Sequence, residues 1–248
     1  MLYMVGLGVW DENDISLKGV AACKKSSEIY IELYTAAWGG NVRHLENLIG
    51  KKIRMLRRSD IEEGSDELVE KARHTDIALL VPGDPLVATT HTQLVLSARK
   101  KGVPVCVIHS SSVYTAIAKT GLQIYKFGRV STIPKHTMNY APESFFDVIE
   151  ENLSHGLHTL LLLDVDMGTR EAIEILETID AKKGKDILKD RKILICSRLG
   201  SQEEKIAYGS ADELKHLSFP APSVVVIPGN LHFMEEEFLK TLEVTESL

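Results

Sequence analysis

Three loops of the 248-residue chain carry residue types able to hold a small polar ligand. In the first, Gly6-Leu7-Gly8-Val9-Trp10-Asp11, a Gly-x-Gly follows an apolar run as in a dinucleotide fingerprint, yet Asp11 stands where the third glycine belongs. A simple tight turn accounts for it equally well. Glu28 and Glu32 lie at roughly the spacing of a ribose-binding acid, but on so charge-rich a strand they read as a solvated face. The second loop is Val81-Pro82-Gly83-Asp84-Pro85-Leu86-Val87-Ala88-Thr89-Thr90-His91. Its two prolines each hold one φ angle, and Gly83 permits a backbone conformation that other residues resist. A loop so stiffened can grip a small polar ligand, with the amides of the following helix start able to receive a carboxylate. The plainer alternative is a Pro-Gly turn with Asp84 as a helix cap. The third loop, His109-Ser110-Ser111-Ser112-Val113, has the same position after a buried strand. Its hydroxyls and amides can meet the same ligand or merely close a serine turn.

Other chemistries lack their residues. The nine histidines are scattered without metal-ligand spacing to one another or to cysteine, so no metal is expected. There is no Gly-x-Ser-x-Gly elbow, no P-loop pattern and no basic neighbourhood around a cysteine, which argues against hydrolase and phosphoryl-transfer chemistry. No side chain is assigned a catalytic role.

The elements that must position these loops follow from periodicity. Leu2 to Leu7, Ser27 to Tyr34, Lys52 to Leu56, Asp76 to Val81 and Val103 to His109 read as strands. Between them, Ser16 caps a helix with Leu17, Val20 and Ala21 on one face, and Asn41 caps another with Val42, Leu45, Leu48 and Ile49. Ser65 to Arg73 and Thr90 to Lys101 are helical, the latter stopped by Gly102. Strands and helices alternating over short connections make a mainly parallel sheet covered on both faces. After His109 the rhythm changes, through Ser110 to Lys119 and Ile124 to Val130 into the Pro-punctuated stretch Pro134 to Pro142. Downstream, helices over Ser144 to Leu153 and Thr169 to Ile179 alternate with strands over His158 to Asp164, Lys192 to Ser197 and Ser223 to Ile227. Ser210 with Glu213 forms a capping box, and a C-terminal helix follows. The fold class is α/β with two domains: 1–111, built on a mainly parallel sheet, and 112–248, built on a mixed sheet.

Composition narrows the partners. Lys plus Arg number 29 against 35 Asp plus Glu, a net charge of −6, which argues against nucleic acid as a substrate. The basic run Arg54, Arg57, Arg58 is the one local exception and reads as a solvated edge. The longest apolar runs, Leu160 to Leu163 and Val224 to Ile227, fall far short of the roughly 20 residues that cross a bilayer. Met1 to Trp10 lacks the basic start and small-residue cleavage site of a signal peptide. Cys23, Cys106 and Cys196 are odd in number, widely separated and set among apolar neighbours, as reduced buried thiols of a cytoplasmic protein are.

Taken together, Gly6-Leu7-Gly8 with Asp11-Glu12-Asn13-Asp14-Ile15, Lys18-Gly19, Tyr34-Thr35 and the run from Pro82 to His91 resemble the diphthine synthase family. Ile124-Tyr125-Lys126-Phe127-Gly128, Gly156-Leu157-His158-Thr159-Leu160, Arg198 with Gly200-Ser201, and Ile227-Pro228-Gly229 extend the likeness over almost the whole chain. The Gly-Asp-Pro loop alone is common to the wider tetrapyrrole (corrin and porphyrin) methyltransferase class. The resemblance implies two α/β domains in a homodimer, with S-adenosylmethionine in the cleft between the domains of each chain and S-adenosylhomocysteine as product. It implies trimethylation of the amino group of a modified histidine on translation elongation factor 2, a step in making diphthamide. Carried over by position, the cofactor contacts are Val9, Asp84, Val87, Ser112 and Val113 from the first domain and Leu163, Leu199 and Ser223 from the second. The chain departs from the family at Ala36-Ala37, Phe145-Phe146 and Ser197, and in a short segment between Asp164 and Ala172. Two rivals stand beside this reading: methylation of a tetrapyrrole such as a precorrin, and nucleotide binding without turnover.

Overall fold

The computed structural model describes residues 1–189 and 191–244. The chain divides into two compact units, one from Met1 to Ala116 and one from Ile117 onward. In the first, the order is β1 (Leu2–Gly6), α1 (Leu17–Lys25), β2 (Glu28–Glu32), α2 (Val42–Ile49), β3 (Arg54–Leu56), α3 (Arg58–Glu62), α4 (Ser65–His74), β4 (Ile77–Val81), α5 (Thr92–Lys100), β5 (Val105–Ile108) and the one-turn α6 (Val113–Ala116). The five strands form one sheet, β3-β2-β4-β1-β5, in which every pair is parallel.

Both faces of this sheet are buried, and strand alternation divides its side chains between them. Leu2, Met4, Ile77, Leu79 and Val81 join α3, α4 and α5 through Ile61, Leu68, Val69, Leu94 and Ala98. Tyr3, Val5, Ala78 and Leu80 join α1 and α2 through Val20, Cys23, Leu45 and Ile49. The helices that follow the adjacent strands β1 and β4 therefore lie on opposite faces. Where they diverge, beyond the carboxyl ends of the two strands, open α/β sheets bind their ligands.

The second unit runs β6 (Ser131–Ile133), α7 (Ser144–Ser154), β7 (Thr159–Leu163), α8 (Thr169–Lys183), β8 (Ile193–Ser197), β9 (Lys205–Gly209), α9 (Ala211–Lys215), β10 (Ser223–Ile227) and α10 (Phe233–Lys240). Its sheet, β6-β7-β10-β8-β9, is parallel only between β6 and β7 and antiparallel elsewhere. Phe145, Phe146 and Ile149 of α7 pack with Ile173, Leu176 and Ile179 of α8 on Leu161, Ile195 and Val225. Both phenylalanines are buried core, so their departure from the family pattern is absorbed by packing.

Three elements differ from the sequence-based expectation. Helix α3 occupies the basic run around Arg58, where Arg58 pairs with Glu62 one turn on at 2.8 Å. Strands β6 and β9 are three and five residues long, and their pairing with β7 and β8 supplies the order that so short a pattern lacks. Cys23 and Cys196 are buried as expected, whereas Cys106 is only half-buried; all three are free. Among the described residues no helix is long and apolar enough to cross a membrane.

Candidate functional site

The first unit gathers three of the loops singled out above at the carboxyl end of its sheet. Strand β1 continues past Gly6 alongside the proline loop: the Leu7 amide donates to the Val81 carbonyl at 2.8 Å, and Gly8 and Gly83 exchange amide–carbonyl bonds of 3.1 and 2.9 Å. Gly8 thus spends its backbone on the neighbouring loop, and its φ of +88° with Asp14 packed against it makes a tight turn and no dinucleotide cradle. Gly6 is required for a different reason. A Cβ there would stand 2.6 Å from the Gly83 carbonyl oxygen and 2.8 Å from the Ser110 Cβ. The three loops touch only because this side chain is missing.

Asp84 holds the arrangement together. Only 6% exposed, its carboxylate accepts the Leu86 amide at 3.1 Å through Oδ1, and His109 Nδ1 at 2.8 Å and the Ser110 amide at 3.3 Å through Oδ2. It therefore caps its own turn and ties β4 to β5. It is not a helix cap, because α5 starts only at Thr92. Ser110 donates its hydroxyl to the Asp14 carbonyl at 3.1 Å, and the Ser111 hydroxyl accepts the Val9 amide at 3.2 Å, binding the third loop to the first. Ser112 is buried, and its carbonyl accepts the Thr115 and Ala116 amides at the start of α6. Val9, Val87 and Val113 remain partly exposed around this junction.

Glu32 corrects the solvated-face expectation. At the end of β2 it is fully buried, its Oε2 accepting the Tyr34 and Thr35 amides at 3.1 and 3.2 Å and its Oε1 the Thr35 hydroxyl at 2.6 Å. Burial pushes its carboxyl above the ordinary carboxylate range, and these hydrogen bonds oppose the shift. His91, at the exit of the proline loop, lies beside it and is pushed down to about 4 by burial. Glu28, by contrast, is partly exposed and pairs with Arg54 at 2.7 Å. His91 belongs to the run from Pro82, but no local pattern marks its pairing with Glu32.

In the second unit the three expected contacts also share one end of a sheet. Leu163 closes β7, Ser223 opens the antiparallel β10, and Leu199 follows β8, whose Ser197 pairs with Ser223. Leu199 lies in a loop fastened to its neighbour: the Arg198 amide donates to the Pro222 carbonyl at 2.8 Å, and the Ser197 and Ser223 hydroxyls both donate to the Pro220 carbonyl. Leu199 is buried, while Leu163 and Ser223 are partly exposed. Among the described residues no group of three or more His, Cys, Asp or Glu is placed to hold a metal.

The family model of the tetrapyrrole (corrin/porphyrin) methylases matches residues 1–215. A diphthine synthase of Methanocaldococcus jannaschii is 42% identical over 98% of each chain. This chain belongs to the diphthine synthase family. A second relative of that name, from Methanococcus aeolicus, is 41% identical over 98% of each chain. A crystal structure of diphthine synthase superposes with a TM-score of 0.90 at 39% identity, covering 98% of this chain and 95% of that one. The two α/β units are accordingly a tetrapyrrole methylase-like fold, and the chain is an S-adenosylmethionine-dependent methyltransferase of diphthamide biosynthesis.

Proposed function

We propose that the chain trimethylates the amino group of the modified histidine of translation elongation factor 2, using S-adenosylmethionine held by Val9, Asp84, Val87, Ser112 and Val113 of the first unit and Leu163, Leu199 and Ser223 of the second. The observation carrying the assignment is the junction of three loops at the carboxyl end of β1, β4 and β5, locked by Asp84 and by the absence of a Cβ at Gly6. An adenosyl group needs apolar walls and backbone polar groups, and the partly exposed valines 9, 87 and 113 with their loop amides are of that chemistry.

The bound sulfonium supplies an activated methyl group with a good leaving group already in place. What remains for the protein is to align donor and amine and to exclude water. The proline loop does the first by its rigidity: Pro82 and Pro85 restrict the backbone on either side of Gly83 and Asp84, and the Asp84 carboxylate fixes Leu86 and Ser110 around it. The attacking amine must be neutral, so each methylation releases a proton. No side chain is assigned to take it.

The chain is further proposed to act as a cytoplasmic homodimer with no nucleic-acid or membrane partner. Mass spectrometry of elongation factor 2 bearing the precursor side chain, after reaction with the cosubstrate, tests the reading. A gain of three methyl groups is expected. Transfer of label to a precorrin and none to the factor would replace it with the tetrapyrrole reading. Titration showing tight NAD binding and no binding of S-adenosylhomocysteine would replace it with that of a nucleotide-binding protein.

A further inference from the structure

The proline loop is anchored at both ends, and its exit anchor is a buried pair. Ala88, between Val87 and Thr89, has a φ of +52°, a left-handed conformation that a residue with a side chain adopts only where its surroundings over-determine it. Immediately beyond, the Thr89 hydroxyl and His91 Nδ1 are hydrogen-bonded, and the His91 amide donates back to the same oxygen at 3.4 Å. The other ring nitrogen, Nε2, faces the end of β2. That nitrogen has no hydrogen-bond partner among the described residues and lies 3.6 Å from Glu32 Oε1, with both side chains wholly excluded from solvent. Glu32 terminates the strand beside β4, and its three hydrogen bonds hold it still. Thus a fixed carboxyl group lies against the buried His91 ring at the point where the loop must turn from a strained residue into α5.

We infer that the buried Glu32–His91 pair is the positioning element of the proline loop, tying its exit to the end of β2 so that Asp84 and Val87 present one fixed register to the adenosyl cosubstrate. This rests on the proposal that the loop holds the cosubstrate. Neither residue touches the reacting atoms in this account. Glu32 faces His91, Thr35 and Tyr34, while Glu62 and Arg58 of α3 supply the other nearby charges.

The test is calorimetric titration of S-adenosylhomocysteine into the full-length wild type and the variants His91→Leu, His91→Gln and Thr89→Val, each verified as folded by circular dichroism. Affinity is expected to fall about tenfold in His91→Leu, as for a binding loop released from its register. In His91→Gln, whose polar amide can occupy the same buried position against Glu32, it recovers to near the wild-type value. In turnover the KM for the cosubstrate rises more than kcat falls. A merely structural histidine would lower the melting temperature of His91→Leu and leave the affinity of the folded protein untouched, and that outcome overturns the inference. Should His91→Leu not fold, Thr89→Val at its half-buried loop position decides by the same criterion. Wild-type protein that binds no S-adenosylhomocysteine overturns the cosubstrate assignment and the positioning role built on it, whereas wild-type binding with unaltered variants overturns the positioning role alone.

Discussion

At the residue scale, two buried titratable side chains govern the first unit. Removing the Asp84 carboxylate leaves the Leu86 and Ser110 amides without their acceptor, while His109, whose side chain is 71% exposed, can turn to water. Asp84→Ala should therefore lower stability by about 1–3 kcal/mol, the cost of stranded, partly buried donors, as measured by urea unfolding. His91 makes a pH prediction. Burial holds it near 4 when folded, against an ordinary 6.5, so the unfolded chain takes up its proton first. Its contribution is fully present above about pH 6.5 and is lost as pH falls toward 4, amounting to about 3 kcal/mol. Glu32, pushed up by its own burial, works in the opposite direction but is present in both wild type and His91→Gln. The difference in unfolding free energy between these two proteins should accordingly shrink or reverse in favour of the variant between pH 7 and pH 4. A difference independent of pH would contradict a neutral buried imidazole.

At the scale of elements, the loops depend on close backbone approach and the helices on their caps. Gly6→Ala places a methyl group 2.6 Å from the Gly83 carbonyl, so β1 and the proline loop must separate. A loss of about 1–3 kcal/mol in thermal or denaturant unfolding is expected, the range for overpacking a tight contact, together with weakened S-adenosylhomocysteine binding. In the second unit, Ser210 accepts the Glu213 amide at 3.2 Å while Glu213 accepts the Ser210 amide at 2.7 Å, the reciprocal capping box. Ser210→Ala should cost about 1 kcal/mol by the same measurement, with binding unchanged. This box could be read directly, because its partners are three residues apart. Strand β9 could not: Lys205 to Gly209 is one short alternation, ordered by its antiparallel register on β8 and by the bonds of Tyr208 to Leu242 and Val244 on its other side. Helix α3 was hidden for a similar reason, its charged face being stabilised by the Arg58–Glu62 pair and its burial resting on Ile61 alone.

At the scale of the whole molecule, burial separates the thiols. Cys23 and Cys196 are pushed up to about 12 by burial, so neither presents a thiolate near neutrality, whereas Cys106 is half-buried. A disulfide reagent should therefore find at most one reactive thiol in the native protein and three after denaturation. Light scattering should give twice the 27.6 kDa of one chain if the proposed homodimer forms. The sequence by itself determined the α/β class, the parallel and mixed sheets and the loops that meet at the carboxyl end of the first one. Apolar strands and capped helices announce themselves through local period, and prolines and glycines mark the stiff turns between them. Only the tertiary structure decided that Asp84 binds its carboxylate to His109 and Ser110, that Glu32 is buried against His91, and that Gly6 must lack a side chain. Those contacts join residues 25 or more positions apart, and whether a charge is solvated or enclosed depends on neighbours that no local pattern contains.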